Sequence, residues 1–211
     1  MNSVINILVA GTGGQGVMTA ADIIARAAIL AGQDVKKTEV AGMAQRGGVV
    51  TSHVRFGKQV YSPSITPGSA DLLLAFEPAE ALRWVDYLHE GATALVNTVA
   101  QVPPVVSIGL FNYPDAPLEQ LAQEPIHSHA LEAGRLASRM GDYRLVNSIM
   151  LGATANYLPF ASDLLKQALL EHFAHKGDRV VALNAQAFDA GTQAIRSTAQ
   201  NGEKSETGSG N

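Results

Sequence analysis

Gly11, Gly13 and Gly16 in "GTGGQG" stand between the apolar run "VINILVA" and "VMTAADIIARAAILAG", a stretch with helical character from its first residues. A glycine loop that joins a buried strand to a helix aims backbone N–H groups at one point. The positive end of the helix dipole then favours a phosphate or carboxylate there. In that chemistry Gly11 permits a tight turn, Gly13 lets backbone approach an anion, and Gly16 lets the helix pack close to the strand. A merely tight strand-to-helix turn would use the same glycines. A nicotinamide cofactor asks for more, an acidic residue about 20 positions on at the end of the second strand to hold ribose hydroxyls. Glu39 lies near that distance, but no obvious hydride-transfer base follows it.

The second informative stretch is "TEVAGMAQRGGVVTSHVRFG". Arg46, followed by Gly47 and Gly48, sets a planar five-donor cation beside backbone that no side chain shields, which suits a carboxylate, a phosphate or a partner's surface. A structural Arg paired with Glu39 or with a helix C-terminus is the competing account. His127 and His129 could face one way on an extended segment and bind metal, although a solvated loop pair is the expectation. His172 and His175 fall near a helix end, where the dipole favours cations. Neither a Gly-x-Ser-x-Gly elbow nor a Gly-Lys-Ser/Thr ending to the first loop occurs, which argues against α/β-hydrolase chemistry and phosphotransfer.

These residues need a scaffold, and the apolar pattern supplies one. Residues 4–10 suit a strand buried on both faces, and a helix over roughly 15–31 ends at Gly32. "DVKKTEV" and "VVTSHVRFG" predict the next strands, with "KQVYSPSI" as a hairpin partner and "VPPVVSIG" as a further edge strand. "ADLLLAF" and "ATALVNT" predict two short buried strands separated by a helix that carries Leu82, Val85 and Leu88. The expected fold class is α/β, a Rossmann-like doubly wound, mostly parallel sheet with helices on both faces and a helical C-terminal extension. In that extension Leu145, Ile149, Met150, Ala153 and Tyr157 share one stripe, and Val180, Asn184, Ala187, Phe188 and Gly191 another. Ser162 is the expected N-cap of the helix between them, and Gly177 its stop. The domain is expected over 1–198, with 199–211 a disordered tail because it lacks periodicity and apolar content.

Composition narrows the function. The 211 residues are 46% hydrophobic and 16% charged, enough for one well-filled core. A formal net charge of −4 and scattered basic residues give no field for nucleic acid. No apolar run approaches the ~18 residues of a membrane span, and the N-terminus lacks the basic start of a signal peptide, so a cytoplasmic location is expected. With no cysteine, the chain itself offers no thiolate for catalysis or for holding an iron–sulfur cluster.

Taken in order, "GTGGQG", "TEVAGMAQRGG", "VRFG", "SADLLLAFEPAEALR", "LVNT", "NSIMLGA" and "NAQAFDAG" are more specific than any one of them. The chain resembles the gamma-type domain of 2-oxoacid:ferredoxin oxidoreductases over roughly residues 4–197, and within that family the small (beta) subunit of the indolepyruvate branch. The resemblance implies a subunit that is inactive alone and binds no cofactor by itself. A large partner would hold thiamine diphosphate with Mg and the iron–sulfur clusters, pass electrons to ferredoxin, and use coenzyme A as co-substrate. The family's motif falls on Gly11, Gly13, Gly14, Gln15 and Gly16, and on Glu39, Gly42, Met43, Arg46, Gly47 and Gly48 for the segment near the partner and the active site. None of these is implied as a proton-transfer catalyst. Because the domain here is not fused to the others, assembly would be non-covalent, and the isolated chain could pair with itself. An independent NAD- or flavin-dependent oxidoreductase and an anion-metabolite binding module are the alternatives.

Overall fold

The computed structural model describes the backbone of residues 4–41, 48–102 and 112–207. Its centre is one six-stranded sheet built from β1 (Ile5–Thr12), β2 (Asp34–Ala41), β3 (Val49–Gly57), β4 (Ala70–Ala75), β5 (Leu88–Asn97) and β6 (His127–Leu131), in the order β2-β3-β1-β4-β5-β6. Strands β1, β4, β5 and β6 are parallel, and β3 is antiparallel to both β1 and β2. The class is α/β and mostly parallel, as expected. The arrangement at β3 is new information: the strand enters the gap between β1 and β2, from Ile5↔Phe56 to Thr12↔Val49 on one side and from Asp34↔Gly57 to Ala41↔Val50 on the other.

Alternation along the strands divides the core. Ile7, Val9, Leu72, Leu74 and Leu95 meet helix α1 (Val17–Leu30) and the late helices on one face. Leu8, Ala10, Leu73, Ala75, Ala94 and Val96 meet α2 (Pro78–Arg83) and α3 (Pro117–Leu121) on the other. Both faces are therefore covered, which is why these strands are almost continuously apolar in sequence.

The C-terminal extension comprises α4 (Ala133–Arg139), α5 (Val146–Thr154), α6 (Ser162–Phe173) and α7 (Asp178–Thr207). Two quoted motifs have a packing explanation. A Cβ on Gly152 would overlap the carbonyl oxygen of Phe188, and one on Gly191 would overlap that of Ile149, so "NSIMLGA" and "NAQAFDAG" let α5 and α7 cross backbone to backbone. The Thr192 hydroxyl donates to the Gly152 carbonyl at 3.0 Å and Ser148 donates to the Asn184 side chain at 2.5 Å, so the polar groups at this crossing are paired.

Several expectations change. Residues 58–65 form no hairpin strand: Arg55 donates to the Ser62 and Ser64 carbonyls, at 2.9 and 3.0 Å, and holds them as a loop. "VPPVVSIG" lies almost entirely outside the described residues. The helix after β4 stops at Arg83, and Leu88 opens β5 instead of continuing the helical face. His127 and His129 lie on β6 and not in a loop, because five residues there pair with β5; the His129 ring rests 5.7 Å from that of Tyr157. Ala161, not Ser162, precedes the first turn of α6, and no side chain caps it. The backbone of α7 is helical to Thr207, well into the segment that composition sets aside as tail.

Candidate functional site

Strand order diverges at β1: its helix crosses to one sheet face toward β2, while β4, on the other side, leads to α2 on the opposite face. The carboxyl ends of the strands at such a switch form a crevice where α/β proteins commonly bind ligands. Here the crevice is bounded by the loop after β1, by Phe76 after β4 and by Asn97 at the end of β5.

The glycine loop is held mainly by its own protein. The Gln15 side chain folds back so that Oε1 accepts the Thr12 N–H at 2.8 Å, and Nε2 donates to the Phe76 carbonyl at 3.3 Å and to Gln101 Oε1 at 2.9 Å. This is what Gly11 makes room for, since a Cβ there would stand 2.6 Å from Gln15 Oε1. The Gly13 N–H donates to the Gly48 carbonyl at 2.9 Å, so the backbone that approaches Gly13 is the start of β3. Gly14, with φ +98°, has open space where a side chain would be. Gly16 is the N-cap of α1 in the left-handed region, with φ 82°, and no side chain caps the helix or places an acid in its first turn. Asn147 of α5 lies against it, its Nδ2 donating to the Gly16 carbonyl at 2.8 Å.

Around this N-terminus opens a cleft of about 370 Å³, whose lining includes Gly14, Gly16, Thr19, Tyr143, Arg144, Asn147, His172 and Lys176. Among the described residues no acidic side chain lines it. Asn147 is 7% exposed and its Oδ1 has no partner among the described residues.

Glu39 sits elsewhere. It lies on the edge strand β2, where its carboxylate pairs with Lys37 Nζ at 2.5 Å, and Lys37 also reaches Asp22 of α1. With β3 inserted, Glu39 is two strand spacings, about 9–10 Å, from the line of β1. The second-strand acid of a dinucleotide fold stands on the strand next to β1. Gly42, Met43, Arg46 and Gly47 lie outside the described residues, so of that segment only Glu39, on β2, and Gly48, at the glycine loop, are placed.

A second cluster escaped the sequence reading. Glu77, buried at the end of β4, accepts from the Glu80 N–H at 3.0 Å, from the Gln101 N–H at 3.3 Å, and from the Tyr113 hydroxyl. Burial, and then the Glu77 carboxylate, push the Tyr113 phenol far above its ordinary range. Burial also raises the Glu80 carboxyl, against the pull of Arg83. Gln101 thereby links Glu77 to Gln15 and fastens the segment after β5 to the glycine loop. The signal was available in "EPAE", an N-cap acid followed by Pro at the first helical position. Neither Arg144 nor Lys176 had such a signal, since they meet only through the packing of the late helices.

Among the described residues no group of three or more His, Asp or Glu side chains could hold a metal, and no helix is long and apolar enough to cross a membrane.

Comparison with known proteins agrees with this architecture. The chain is 36% identical over 197 residues to the indolepyruvate oxidoreductase subunit IorB of Pyrococcus horikoshii, covering 90% of this chain and 96% of that one. It is 38% identical over 196 residues to IorB of Archaeoglobus fulgidus, with the same coverage. Its fold superposes on the gamma subunit of a keto/oxoacid ferredoxin oxidoreductase from Geobacter sulfurreducens with a TM-score of 0.67, at 22% identity over 92% of this chain and 99% of that one. It also matches part of the 2-oxoglutarate:ferredoxin oxidoreductase of Magnetococcus marinus, solved with 2-oxoglutarate, coenzyme A and succinyl-CoA bound. There the TM-score is 0.74 at 24% identity, over 93% of this chain and 32% of that one. The family model for pyruvate ferredoxin/flavodoxin oxidoreductase matches residues 6–194, and the chain belongs to that family.

Proposed function

We propose that this chain is the small, non-thiamine-binding subunit of a 2-oxoacid:ferredoxin oxidoreductase of the indolepyruvate (arylpyruvate) type, acting in the cytoplasm with a larger partner. The carrying observation is the end-to-end correspondence with the IorB subunits, 90% of this chain against 96% of the Pyrococcus one. The overall reaction consumes a 2-oxoacid and coenzyme A and yields acyl-CoA and CO₂, its two electrons reducing two ferredoxins one at a time.

Thiamine diphosphate supplies the carbanion chemistry of decarboxylation, and the iron–sulfur clusters supply electron transfer. The donor set here does not suit the metal-bearing groups: the sequence has no cysteine, and the described residues contain no metal-binding cluster. On this reading thiamine diphosphate, Mg and the clusters belong to the partner, and ferredoxin reaches this chain only indirectly.

What the chain contributes is shape and electrostatics at the carboxyl edge of its sheet. In this reading Gly11, Gly13, Gly14, Gln15 and Gly16 are the loop, and Glu39, Gly42, Met43, Arg46, Gly47 and Gly48 are the positions that the family resemblance assigns to contact with the partner and to the approach of coenzyme A. Arg46 offers that approach a bidentate donor. Arg46→Lys and Arg46→Ala are each expected to lower kcat/KM by about 10- to 150-fold in matched complexes, the loss of one charge-assisted contact.

The test is co-expression with candidate large subunits. The expected result is co-purification, 2-oxoacid- and coenzyme A-dependent reduction of ferredoxin by the complex, and a colourless, inactive chain in isolation. Steady turnover by a cluster-free, partner-free preparation overturns the reading.

A further inference from the structure

The two edges of the sheet are finished differently. At one end, β2 carries Asp34, Lys36, Lys37 and Glu39 joined in ion pairs, and charged side chains of this kind keep a further strand from adding to an edge. At the other end, β6 reads His127-Ser128-His129-Ala130-Leu131, with no Lys, Pro or carboxylate. Among the described residues no strand pairs with its outer side.

The backbone of this edge is set for pairing. The Leu131 carbonyl accepts the Thr98 N–H at 3.0 Å and the Pro125 carbonyl accepts the Gly91 N–H at 2.8 Å, so the odd-numbered residues turn their polar groups toward β5. Peptide direction alternates along a strand, which leaves the N–H and C=O groups of Ser128 and Ala130 pointing outward. Beside them, on the sheet face that α3 covers, lies an open hollow of about 230 Å³ whose lining includes Val96, Leu118, Leu121, Ala122, Ser128 and Ala130. The small side chains at 128 and 130 leave it accessible to an apolar side chain carried on a neighbouring strand.

Charge selects the occupant. Between Arg83 and Arg135 the sequence holds six carboxylates and no Lys or Arg. Arg83 is taken by Glu80, and Arg135 by Glu132 at 2.6 Å. Glu90, Asp115, Glu119 and Glu124 are exposed and pair with no cation among the described residues. The bond from Gly91 to Pro125 sets Glu90 and Glu124 side by side at the amino end of β6, while Asp115 and Glu119 belong to the start of α3. A second copy of this edge would bring like charges together, whereas a strand bearing Lys or Arg meets opposite ones.

We propose that the β6 edge docks an extended, basic polypeptide segment of another protein, which adds to the sheet as a further strand, places an apolar side chain in the hollow against α3 and sets its Lys or Arg residues among Glu90, Glu119 and Glu124. The site is built from this chain alone and lies apart from the glycine loop, so it stands or falls separately from the assignment as an oxidoreductase subunit.

The probe is the end-blocked, fluorescein-labelled peptide KKVTVKK, titrated into the full-length chain at low salt and followed by fluorescence anisotropy. Saturable binding that weakens with added salt is expected, together with slowed hydrogen exchange at the Ser128 and Ala130 amides. The peptide EEVTVEE, and KKVTVKK N-methylated on its three central residues, are each expected to bind at least about tenfold more weakly, since one reverses the charge and the other keeps it but cannot pair as a strand. Ala130→Lys, which puts a cation and bulk on the edge, is expected to lose about tenfold or more. Glu119→Gln/Glu124→Gln is expected to lose about three- to tenfold, and both variants to melt with the wild type because these side chains are exposed. Asp163→Asn, an exposed acid on α6, is expected to bind as the wild type does. No binding at millimolar peptide, equal affinity for the N-methylated peptide, wild-type binding by Ala130→Lys, or a chain that dimerises through β6 and is dispersed by Ala130→Lys each overturns the proposal.

Discussion

Replacing Gly16 with Ala probes the junction on which the glycine loop, α1 and the late helices converge. Two costs are built into this position. Its φ of 82° places an L side chain in the left-handed region, worth about 1–2 kcal/mol. A Cβ would also stand 2.6 Å from Asn147 Nδ2, so Asn147 must withdraw and give up its bond to the Gly16 carbonyl, about 1 kcal/mol more. The sum is about 2–3 kcal/mol, and at about 2–4 °C per kcal/mol for a chain of this size the melting temperature should fall by about 4–12 °C. Gly14→Ala separates the costs, because Gly14 shares the positive φ, at +98°, but has nothing within 4 Å of the added methyl; it should lose only the backbone part. A double-mutant cycle with Asn147→Ala completes the test by denaturant titration. In that background Gly16→Ala should fall back to about 1–2 kcal/mol, a coupling of about 1 kcal/mol. Equal costs for Gly16→Ala and Gly14→Ala, with no coupling to Asn147, would refute the idea that α5 seats the glycine loop.

Three further outcomes are expected. Gly152→Ala or Gly191→Ala should each destabilise the chain by about 1–3 kcal/mol or more, since the methyl meets backbone across the α5–α7 crossing; wild-type melting of either variant would contradict that crossing. Tyr113→Phe should cost about 1–2 kcal/mol and Glu77→Ala more, because the alanine strips the cap of α2 and leaves the Gln101 N–H unpaired; denaturation midpoints decide the order. Stability should also fall with acid through His53, whose Nδ1 accepts the Ile65 N–H at 3.0 Å. Burial, and then Arg55, lower its pKa from the ordinary 6.5, so near that pH the folded chain binds fewer protons than the unfolded. The His53 contribution is thus complete above about pH 6.5 and lost as the pH drops from there through the folded value; His53→Asn, which keeps an acceptor that does not titrate, should flatten this slope.

The strands β1, β4 and β5, the helix after the glycines and the covering of both sheet faces were legible in local sequence, because continuous apolar runs and a glycine turn act over a few residues and have one good solution each. The motif order that marks the family was equally legible, and the end-to-end similarity to the IorB subunits agrees with it. The position of β3 was not, because a strand's own pattern says that it is half or fully buried but not which neighbours bury it. That single topological choice set Glu39 two strands away from β1 and gave its carboxylate to Lys37. The glycine loop shows the same division. Its residue types specify a tight turn with free backbone amides, yet only the folded chain decides that Gly13 spends its N–H on Gly48 and that Gln15 staples the loop to Phe76 and Gln101. Arg144 and Lys176 lie about 130 to 160 positions further on and carry no local motif, and Asn147, which opens "NSIMLGA", carries no local sign of the loop that it meets. The cleft exists because helix packing, which depends on the glycines at the α5–α7 crossing, brings them to the first helix of the chain.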